Sequence, residues 1–326
     1  MIALFILLLI VGFVALIKGA DLFVDGSAAL AKNLKVPSLI IGLTIVAMGT
    51  SAPELAVSTS AAIAGANEIA LSNVIGSNMF NLLVVLGACA LFHPVPVDKI
   101  VLKRDFPISI IVTVFIFAVV GVKALFGGKV IGAAMSEVAG KVYRWTGIVL
   151  LLCFIAYIVY LIMDAKRHPE PETEGERKPY WKCFLFIILG IALIVGGGQA
   201  VVRSAEYIAK AAGMTETLIG LTIVAVGTSL PELVTSVVAA RKGETGLAIG
   251  NVVGSNIFNL MLILGISSAI HPVEANVASV FDLGILIIVS LIVLLFSVSK
   301  KKILRWEGII MILVYVADVI FAIFRK

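Results

Sequence analysis

The stretch IGLTIVAMGTSAPEL, Ile41–Leu55, returns 178 residues later as IGLTIVAVGTSLPEL, Ile219–Leu233, with 13 of 15 positions identical. The same offset aligns NVIGSNMFNL, Asn73–Leu82, with NVVGSNIFNL, Asn251–Leu260. Two long matches at one fixed offset do not arise by chance. The chain therefore contains two copies of one unit, and the unit decides the fold.

Apolar residues make up 61% of the chain and charged residues 14%, which is typical of a membrane protein rather than a soluble one. A helix needs about 20 apolar residues to cross a bilayer. Ten such runs occur, and they are predicted as transmembrane helices. They span approximately Ile2–Ile17, Leu39–Ala64, Ile69–Phe92, Phe106–Leu125, Trp145–Met163, Trp181–Val202, Leu218–Ala240, Leu247–Ile270, Leu283–Val298 and Ile309–Phe324.

Five runs fall in each copy, and an odd number makes the second copy insert upside down relative to the first. We predict an all-α membrane protein of ten transmembrane helices, arranged as two inverted five-helix repeats with broken helices at the centre. The first repeat is predicted over 1–163 with its motif at 41–82, and the second over 181–326 with its motif at 219–260. Between them, 164–180 is proline-rich and highly charged, which predicts a hydrophilic cytoplasmic linker.

The distribution of basic residues predicts the topology. No positive charge precedes the first apolar run, so we interpret it as a retained helix that continues to about Ala31 rather than a signal peptide. With both termini outside, the inner loops hold 17 of the 25 Lys and Arg residues, as the positive-inside rule favours. We expect a multi-pass protein of the plasma (inner) membrane. The net charge of +5 is explained by this topology, and no nucleic-acid partner is predicted.

Glu54 and Glu232 lie deep inside apolar runs at equivalent positions of the two copies. An ionisable group at that depth is costly unless it is paired, bound to an ion or facing water. Each acid ends a Gly-Thr-Ser-x-Pro-Glu segment, and proline deprives a carbonyl of the preceding turn of its helical hydrogen bond. These acids are predicted to bind a cation near the middle of the membrane.

Other oxygen donors accompany each acid. Hydroxyls three and four residues before it share its helix face, the second motif adds a Ser and an Asn, and the kink exposes an alanine carbonyl. The predicted ligands are Ala47, Thr50, Ser51, Glu54, Ser77 and Asn81 in the first copy and Ala225, Thr228, Ser229, Glu232, Ser255 and Asn259 in the second. Asn73, Asn78, Asn251 and Asn256 are either further ligands or interhelical hydrogen-bonding residues.

A shell of oxygen atoms without His or Cys suits hard cations such as calcium and sodium. Two glutamates supply two negative charges, which one divalent ion neutralises. We expect calcium and sodium, or protons, as substrates, no cofactor, and a site for which a monomer suffices.

At these motifs the chain resembles the calcium/cation antiporter superfamily, and within it the prokaryotic sodium/calcium exchangers. GTSAPE and GTSLPE, with GSNMFN and GSNIFN, are similar to the two repeats of that family. The resemblance implies sodium/calcium exchange by alternating access, with ion ligands at the twelve positions above. It also implies an aspartate where this chain has Asn259, so the set here is symmetric.

Three alternatives remain. A proton/calcium antiporter would use the same glutamates as proton carriers, and a passive cation channel would need no counter-ion. An intramembrane enzyme is disfavoured, because HExxH and GxSxG motifs are absent from the sequence. We therefore predict a transporter and not an enzyme.

Overall fold

The protein is described by a computed structural model over residues 2–65, 67–126, 134–167, 169, 178–214 and 225–324. It is built almost entirely from helices. They are α1 (Ile2–Leu34), α2 (Ser38–Ile41), α3 (Ala47–Thr50), α4 (Ala52–Ala64), α5 (Asn67–Phe80), α6 (Leu86–Phe92), α7 (Phe106–Phe126), α8 (Arg144–Arg167), α9 (Tyr180–Ala211), α10 (Ala225–Gly227), α11 (Leu230–Arg241), α12 (Thr245–Ile257), α13 (Leu264–Ile270), α14 (Val277–Lys300) and α15 (Arg305–Phe324). π-helical turns occupy Gly42–Val46, Asn81–Val85, Val101–Asp105 and Phe258–Ile263, and the strands are β1 (Val95–Pro96), β2 (Val138–Val142), β3 (Val273–Asn276) and β4 (Lys302–Ile303).

Eight helical stretches of the described residues are long and apolar enough to cross a membrane. They are Ile2–Leu34, Ile69–Phe92, Val101–Gly121, Arg144–Arg167, Tyr180–Ala211, Thr245–Ile270, Val277–Lys300 and Arg305–Phe324. Ser38–Thr50 and Ala52–Ala64 form a ninth span if the two are counted together. These nine coincide with nine of the ten predicted runs, and α1 continues past Ile17 as predicted.

The first part of the remaining predicted run, 218–224, lies outside the described residues, and the described part of this run forms α10 and α11. The predicted linker, 164–180, also lies mostly outside them, at 168 and 170–177.

The predicted break in the second run is present. Gly42–Val46 is π-helical, Ser51 leaves the helix at φ −83° and ψ 9°, and the chain bends by 51° between α3 and α4. Pro53, in the first turn of α4, has no N–H to donate to the preceding turn, so the helix restarts there. The second copy repeats the pattern, with Ser229 at φ −94° and ψ 7° before Pro231.

The chain divides into two compact units. One contains the chain up to Pro53 and Leu161–Val252, and the other contains Glu54–Tyr160 and Val253–Lys326. Each unit therefore combines segments of both sequence copies. The predicted boundaries at 163 and 181 describe the copies and remain a prediction.

In the first unit, α1 packs antiparallel against α9 through glycines seven residues apart. A Cβ added at Gly12 would lie 3.0 Å from the Gly197 carbonyl oxygen, and one at Gly19 would lie 2.9 Å from that of Gly190. A Cβ added at Gly26, seven residues further along α1, would contact the backbone of Cys183. Such spacing lets two backbones touch along one seam, as small residues do in membranes.

In the second unit, two small antiparallel sheets join opposite sequence copies. β1 pairs with β4, with Val95 opposite Ile303, and β2 pairs with β3, with Val142 opposite Val273. Lys141 and Glu274 face each other across β2 and β3 with 2.6 Å between Nζ and Oε1. In each sheet, one strand follows the third predicted transmembrane helix of one copy, and its partner strand precedes the fifth predicted transmembrane helix of the other copy.

The Arg-Trp-x-Gly sequences at 144 and 305 play matching parts in this unit. Arg144 donates to the carbonyl of Ile270, at the end of α13, and Arg305 donates to that of Phe92, at the end of α6. These arginines satisfy carbonyls that a helix end leaves without an intrahelical partner. Each copy thereby caps a helix of the other.

Candidate cation-binding site

Of the two glutamates predicted to bind a cation, Glu232 lies in the first unit. It lies in the first turn of α11 and is fully buried. The hydroxyl of Ser51 donates to its Oε1 at 2.8 Å, and its Oε2 is buried with no hydrogen-bond donor among the described residues. A carboxylate in apolar surroundings with an unmatched oxygen is a strong attractor for a cation or a proton.

Thr50 and Asn251 extend this group. Thr50 Oγ1 donates to Asn251 Oδ1 at 2.9 Å, and Asn251 Nδ2 donates to Ser236 Oγ at 2.9 Å. Asn251 therefore acts as an interhelical hydrogen-bonding residue, one of the two roles left open above. Its bonds hold Thr50 against α12, where the hydroxyl oxygen retains lone-pair capacity.

The backbone at the break is less open than predicted. The Ala47 carbonyl accepts from Ser51 N at 3.0 Å, and Thr50 Oγ1, whose proton is donated to Asn251, lies 3.4 Å from it. The Ala47 carbonyl is therefore not freed from its helical hydrogen bond, contrary to the prediction. A carbonyl oxygen has two lone pairs, so this oxygen remains a candidate ligand through the second one. Ala225 begins α10, and its side chain lies outside the description. Thr228 is half-buried, and its Oγ1 has no hydrogen-bond partner in the described part of the chain.

Glu54, the other predicted cation-binding glutamate, lies in the second unit and is also buried, at 1% exposure. Ser77 Oγ lies within hydrogen-bonding distance of Glu54 Oε1, at 3.4 Å. Asn73 donates to Ser58 Oγ at 2.9 Å and to the Glu54 carbonyl at 3.4 Å. These bonds repeat those of Asn251 with Ser236 and Glu232.

Ser58 and Ser236 are absent from the predicted site, although the sequence contains a signal for them. Each lies four residues after a motif glutamate, at equivalent positions of the two copies. Their hydroxyls accept from Asn73 and Asn251 and so fix the helix that carries the acid. Equivalence between the copies was the available clue.

Asn81 and Asn259 complete the predicted set in the second unit. Both are buried, Asn81 is the first residue of one π-helical turn and Asn259 the second residue of another, and each donates its side-chain NH2 to another asparagine. Their Oδ1 atoms, with Oγ of Ser255, are buried without a hydrogen-bond partner among the described residues. π-helical turns frequently mark functional positions. The second unit therefore contains buried amide and hydroxyl oxygens that the described residues leave unsaturated.

The family comparison agrees with this chemistry. The family model described as sodium/calcium exchanger protein matches residues 4–163 and 182–324. This chain belongs to the sodium/calcium exchanger family. The match covers both copies and leaves out 164–181, which includes the predicted linker.

Individual members of the sodium/calcium exchanger family resemble the chain over nearly its whole length. It is 37% identical to the putative antiporter CaxA of Alkalimonas amylolytica over 94% of this chain and 95% of that protein. It is 35% identical to the sodium/calcium exchanger MaX1 of Methanosarcina acetivorans over 95% and 96%. A structure of the sodium-calcium exchanger NCX_Mj, soaked with 10 mM Na+ and 10 mM Sr2+, matches with a TM-score of 0.82 at 31% identity and covers 98% of each chain.

These likenesses confirm the predicted fold class. The chain is an integral, all-α membrane protein with the ten-helix inverted-repeat fold of the sodium/calcium exchangers. They also confirm the resemblance to prokaryotic family members that was inferred from the GTSxPE and GSNxFN motifs.

Proposed function

We propose that this chain exchanges sodium for calcium by alternating access, with Glu54 and Glu232 as ligands of the transported ion. The observation that carries the proposal is the buried Glu232 carboxylate. Its Oε1 accepts from Ser51, and its Oε2 has no donor among the described residues. Within a membrane protein, such an oxygen is stabilised by a bound cation or a proton.

The unmatched oxygens support a calcium-sized set of ligands. Calcium takes about 6 to 8 oxygen ligands from carboxylates, carbonyls, amides and water. In the first unit, Glu232 Oε2 and Thr228 Oγ1 are buried with no hydrogen-bond partner among the described residues, and in the second unit the same holds for Ser255 Oγ, Asn81 Oδ1 and Asn259 Oδ1. All five belong to the twelve predicted ligand positions. Oxygen atoms that the protein does not saturate are available to an ion.

Charge balance supports exchange rather than simple binding. Two glutamates neutralise one calcium, whereas an uncompensated charge in a low-dielectric pocket is heavily penalised. Sodium and calcium therefore compete for the same carboxylates. The pocket can cross between faces when it is filled by either ion. If more than two sodium ions exchange per calcium, each net charge moved is worth about 2.3 kcal/mol per 100 mV.

The relatives favour sodium as the counter-ion. MaX1 is named a sodium/calcium exchanger, and the NCX_Mj structure holds the same fold after soaking with Na+ and Sr2+, the heavier congener of calcium. The second candidate is a proton/calcium antiporter, because the unmatched oxygen of Glu232 could equally take a proton. Both candidates are transporters that act without a catalytic residue or cofactor.

Flux measurements with one gradient at a time test the proposal. The purified full chain is placed in proteoliposomes, and uptake of radioactive calcium is measured with a sodium, potassium or proton gradient imposed alone. We expect calcium uptake driven by the sodium gradient only. Calcium uptake driven by a pH gradient without sodium would establish a proton/calcium antiporter. Calcium uptake that does not depend on any counter-ion gradient would establish a channel.

The topology is part of the proposal. We place the chain in the plasma membrane with both termini outside, supported by the excess of Lys and Arg in the loops that would then be inside. Cysteines are introduced at half-exposed Glu274, in β3 just before α14, and at exposed Lys300, the last residue of α14. They should react with a membrane-impermeant reagent from opposite sides, with the position at 274 labelled in intact cells.

A further inference from the structure

Four asparagines from the two sequence copies form one buried hydrogen-bonded group in the second unit. They are Asn78, Asn81, Asn256 and Asn259, and none is more than 1% exposed. Asn78 and Asn256 precede the predicted ligands Asn81 and Asn259 by three residues. We call Asn78 and Asn256 the helpers. Each helper contacts the predicted ligand of the other copy, Asn78 with Asn259 and Asn256 with Asn81.

A backbone carbonyl fixes the orientation of the first helper. Asn78 Nδ2 donates to the carbonyl oxygen of Asn256 at 3.3 Å. Because a carbonyl only accepts, the NH2 of Asn78 must face it, and the Oδ1 of Asn78 must face the other way. The side-chain orientation of Asn78 follows from this contact without any further assumption.

That orientation determines the orientation of Asn259. Asn78 Oδ1 is an acceptor, so the group of Asn259 that lies 3.0 Å from it must be the donor Nδ2. The Oδ1 of Asn259 is therefore turned away from Asn78. This is the atom that has no hydrogen-bond partner among the described residues.

The predicted ligand of the other copy makes the matching contact. Asn81 Nδ2 donates to Asn256 Oδ1 at 3.2 Å, and Asn81 Oδ1 is likewise buried without a partner in the described part of the chain. In both copies the NH2 of the ligand asparagine is occupied by a helper and its oxygen is left unsaturated. A single accidental contact would not repeat in this way.

We propose that Asn78 and Asn256 are positioning residues, each of which holds the carboxamide of the other copy's ligand so that its oxygen, and not its NH2, is presented to the cation. The inference rests on the proposed function. A carboxamide rotated by half a turn would place its partly positive NH2 against a cation and remove one ligand. Hydrogen-bond partners of metal ligands typically alter metal affinity by about 10- to 100-fold when removed.

A double-mutant cycle in proteoliposomes tests this inference through the calcium KM and kcat. Asn256→Ala should raise the KM at least about tenfold and leave kcat near that of the unaltered chain. In an Asn81→Ala background the same change should add almost nothing, because the group that it orients is already gone. In the matched Asn259→Ala background it should keep its full effect, since Asn256 orients Asn81.

Further variants separate positioning from folding. Asn256→Asp keeps an acceptor for the NH2 of Asn81 and should lower the KM relative to Asn256→Ala, and this gain should disappear in the Asn81→Ala background, where an effect of the added charge alone would persist. If Asn256→Ala does not assemble, Asn256→Leu keeps the volume without the acceptor and replaces it in the cycle. Equal KM factors for Asn256→Ala in both backgrounds, or an unchanged KM, would overturn the inference. Normal transport by Glu54→Gln and Glu232→Gln would instead overturn the proposed site, and the inference with it.

Discussion

The hydroxyl of Ser51 donates a hydrogen bond to Glu232 at 2.8 Å, joining residues that are 181 positions apart. Ser51 belongs to the first sequence copy and Glu232 to the second. The bond lies within one compact unit, beside the bond from Thr50 to Asn251. The first copy therefore supplies hydrogen-bond donors to two residues of the second.

Removing this hydroxyl should weaken calcium binding. A hydrogen bond to a charged group is worth about 1.5–3 kcal/mol, so Ser51→Ala should raise the calcium KM by about 10- to 100-fold. Ser51→Thr keeps the hydroxyl and should lie closer to the unaltered chain. The matched control is Ser60→Ala on the exposed side of α4, which should leave the KM unchanged. Similar KM values for the substitutions at 51 and 60 would contradict this role.

Neutralising either buried acid should abolish exchange. In Glu54→Gln or Glu232→Gln, calcium keeps only one of its two compensating charges, so calcium uptake should fall by at least about 100-fold. Folding should persist, because the amide is isosteric with the carboxylate, and size-exclusion chromatography in detergent checks this. Glu274→Gln is the control, since Glu274 forms a partly exposed ion pair, which is typically worth little.

The helices and the two acids could be predicted from sequence for a simple reason. Crossing a bilayer requires long apolar runs, and buried carboxylates stand out within them. The break at Ser51 followed from Pro53. The two-residue strand at Val95 carries no comparable pattern, because its partner at Ile303 is fixed by the tertiary fold.

The sequence also could not distinguish the roles of the GSNxFN asparagines. Asn78 and Asn81 have the same chemistry, and a single copy gives no sign of which one reaches across to the other. The structure separates them by their partners, since Asn78 Oδ1 accepts a hydrogen bond while Asn81 Oδ1 does not among the described residues. Contacts between distant segments supply what composition and spacing do not.

The glycine seam between α1 and α9 should be intolerant of even a methyl group. A Cβ at Gly190 would lie 2.7 Å from the backbone nitrogen of Phe23, so Gly190→Ala should destabilise the protein by roughly 1–3 kcal/mol. Gly196→Ala on the same helix meets nothing within 4 Å and should be neutral or slightly stabilising. Thermal unfolding in detergent compares the two. A midpoint for Gly190→Ala equal to that of Gly196→Ala would show that the seam tolerates a methyl group.

The buried carboxylate of Asp105 should matter for stability. Arg104 contacts it with Nε at 2.8 Å and Nη2 at 3.1 Å, and the Tyr157 hydroxyl donates to it at 2.9 Å. Asp105→Asn breaks a buried ion pair and should cost roughly 3–5 kcal/mol. Tyr157→Phe removes one hydrogen bond and should cost roughly 1–3 kcal/mol. The comparison is made by thermal unfolding, and a larger loss for Tyr157→Phe would argue that the ion pair contributes little.

Asn259→Asp should make calcium exchange depend on pH. It adds a third buried carboxylate to a pair that one calcium already neutralises, so the new group binds a proton or a further cation. At acid pH a bound proton neutralises the new Asp, so calcium affinity does not increase. At alkaline pH the Asp is negatively charged and strengthens calcium binding. The calcium KM of Asn259→Asp should therefore fall as pH rises, relative to that of the unaltered chain. Asn259→Ala removes the same amide without adding charge, so a parallel pH profile in both variants would mean that the charge is not the cause.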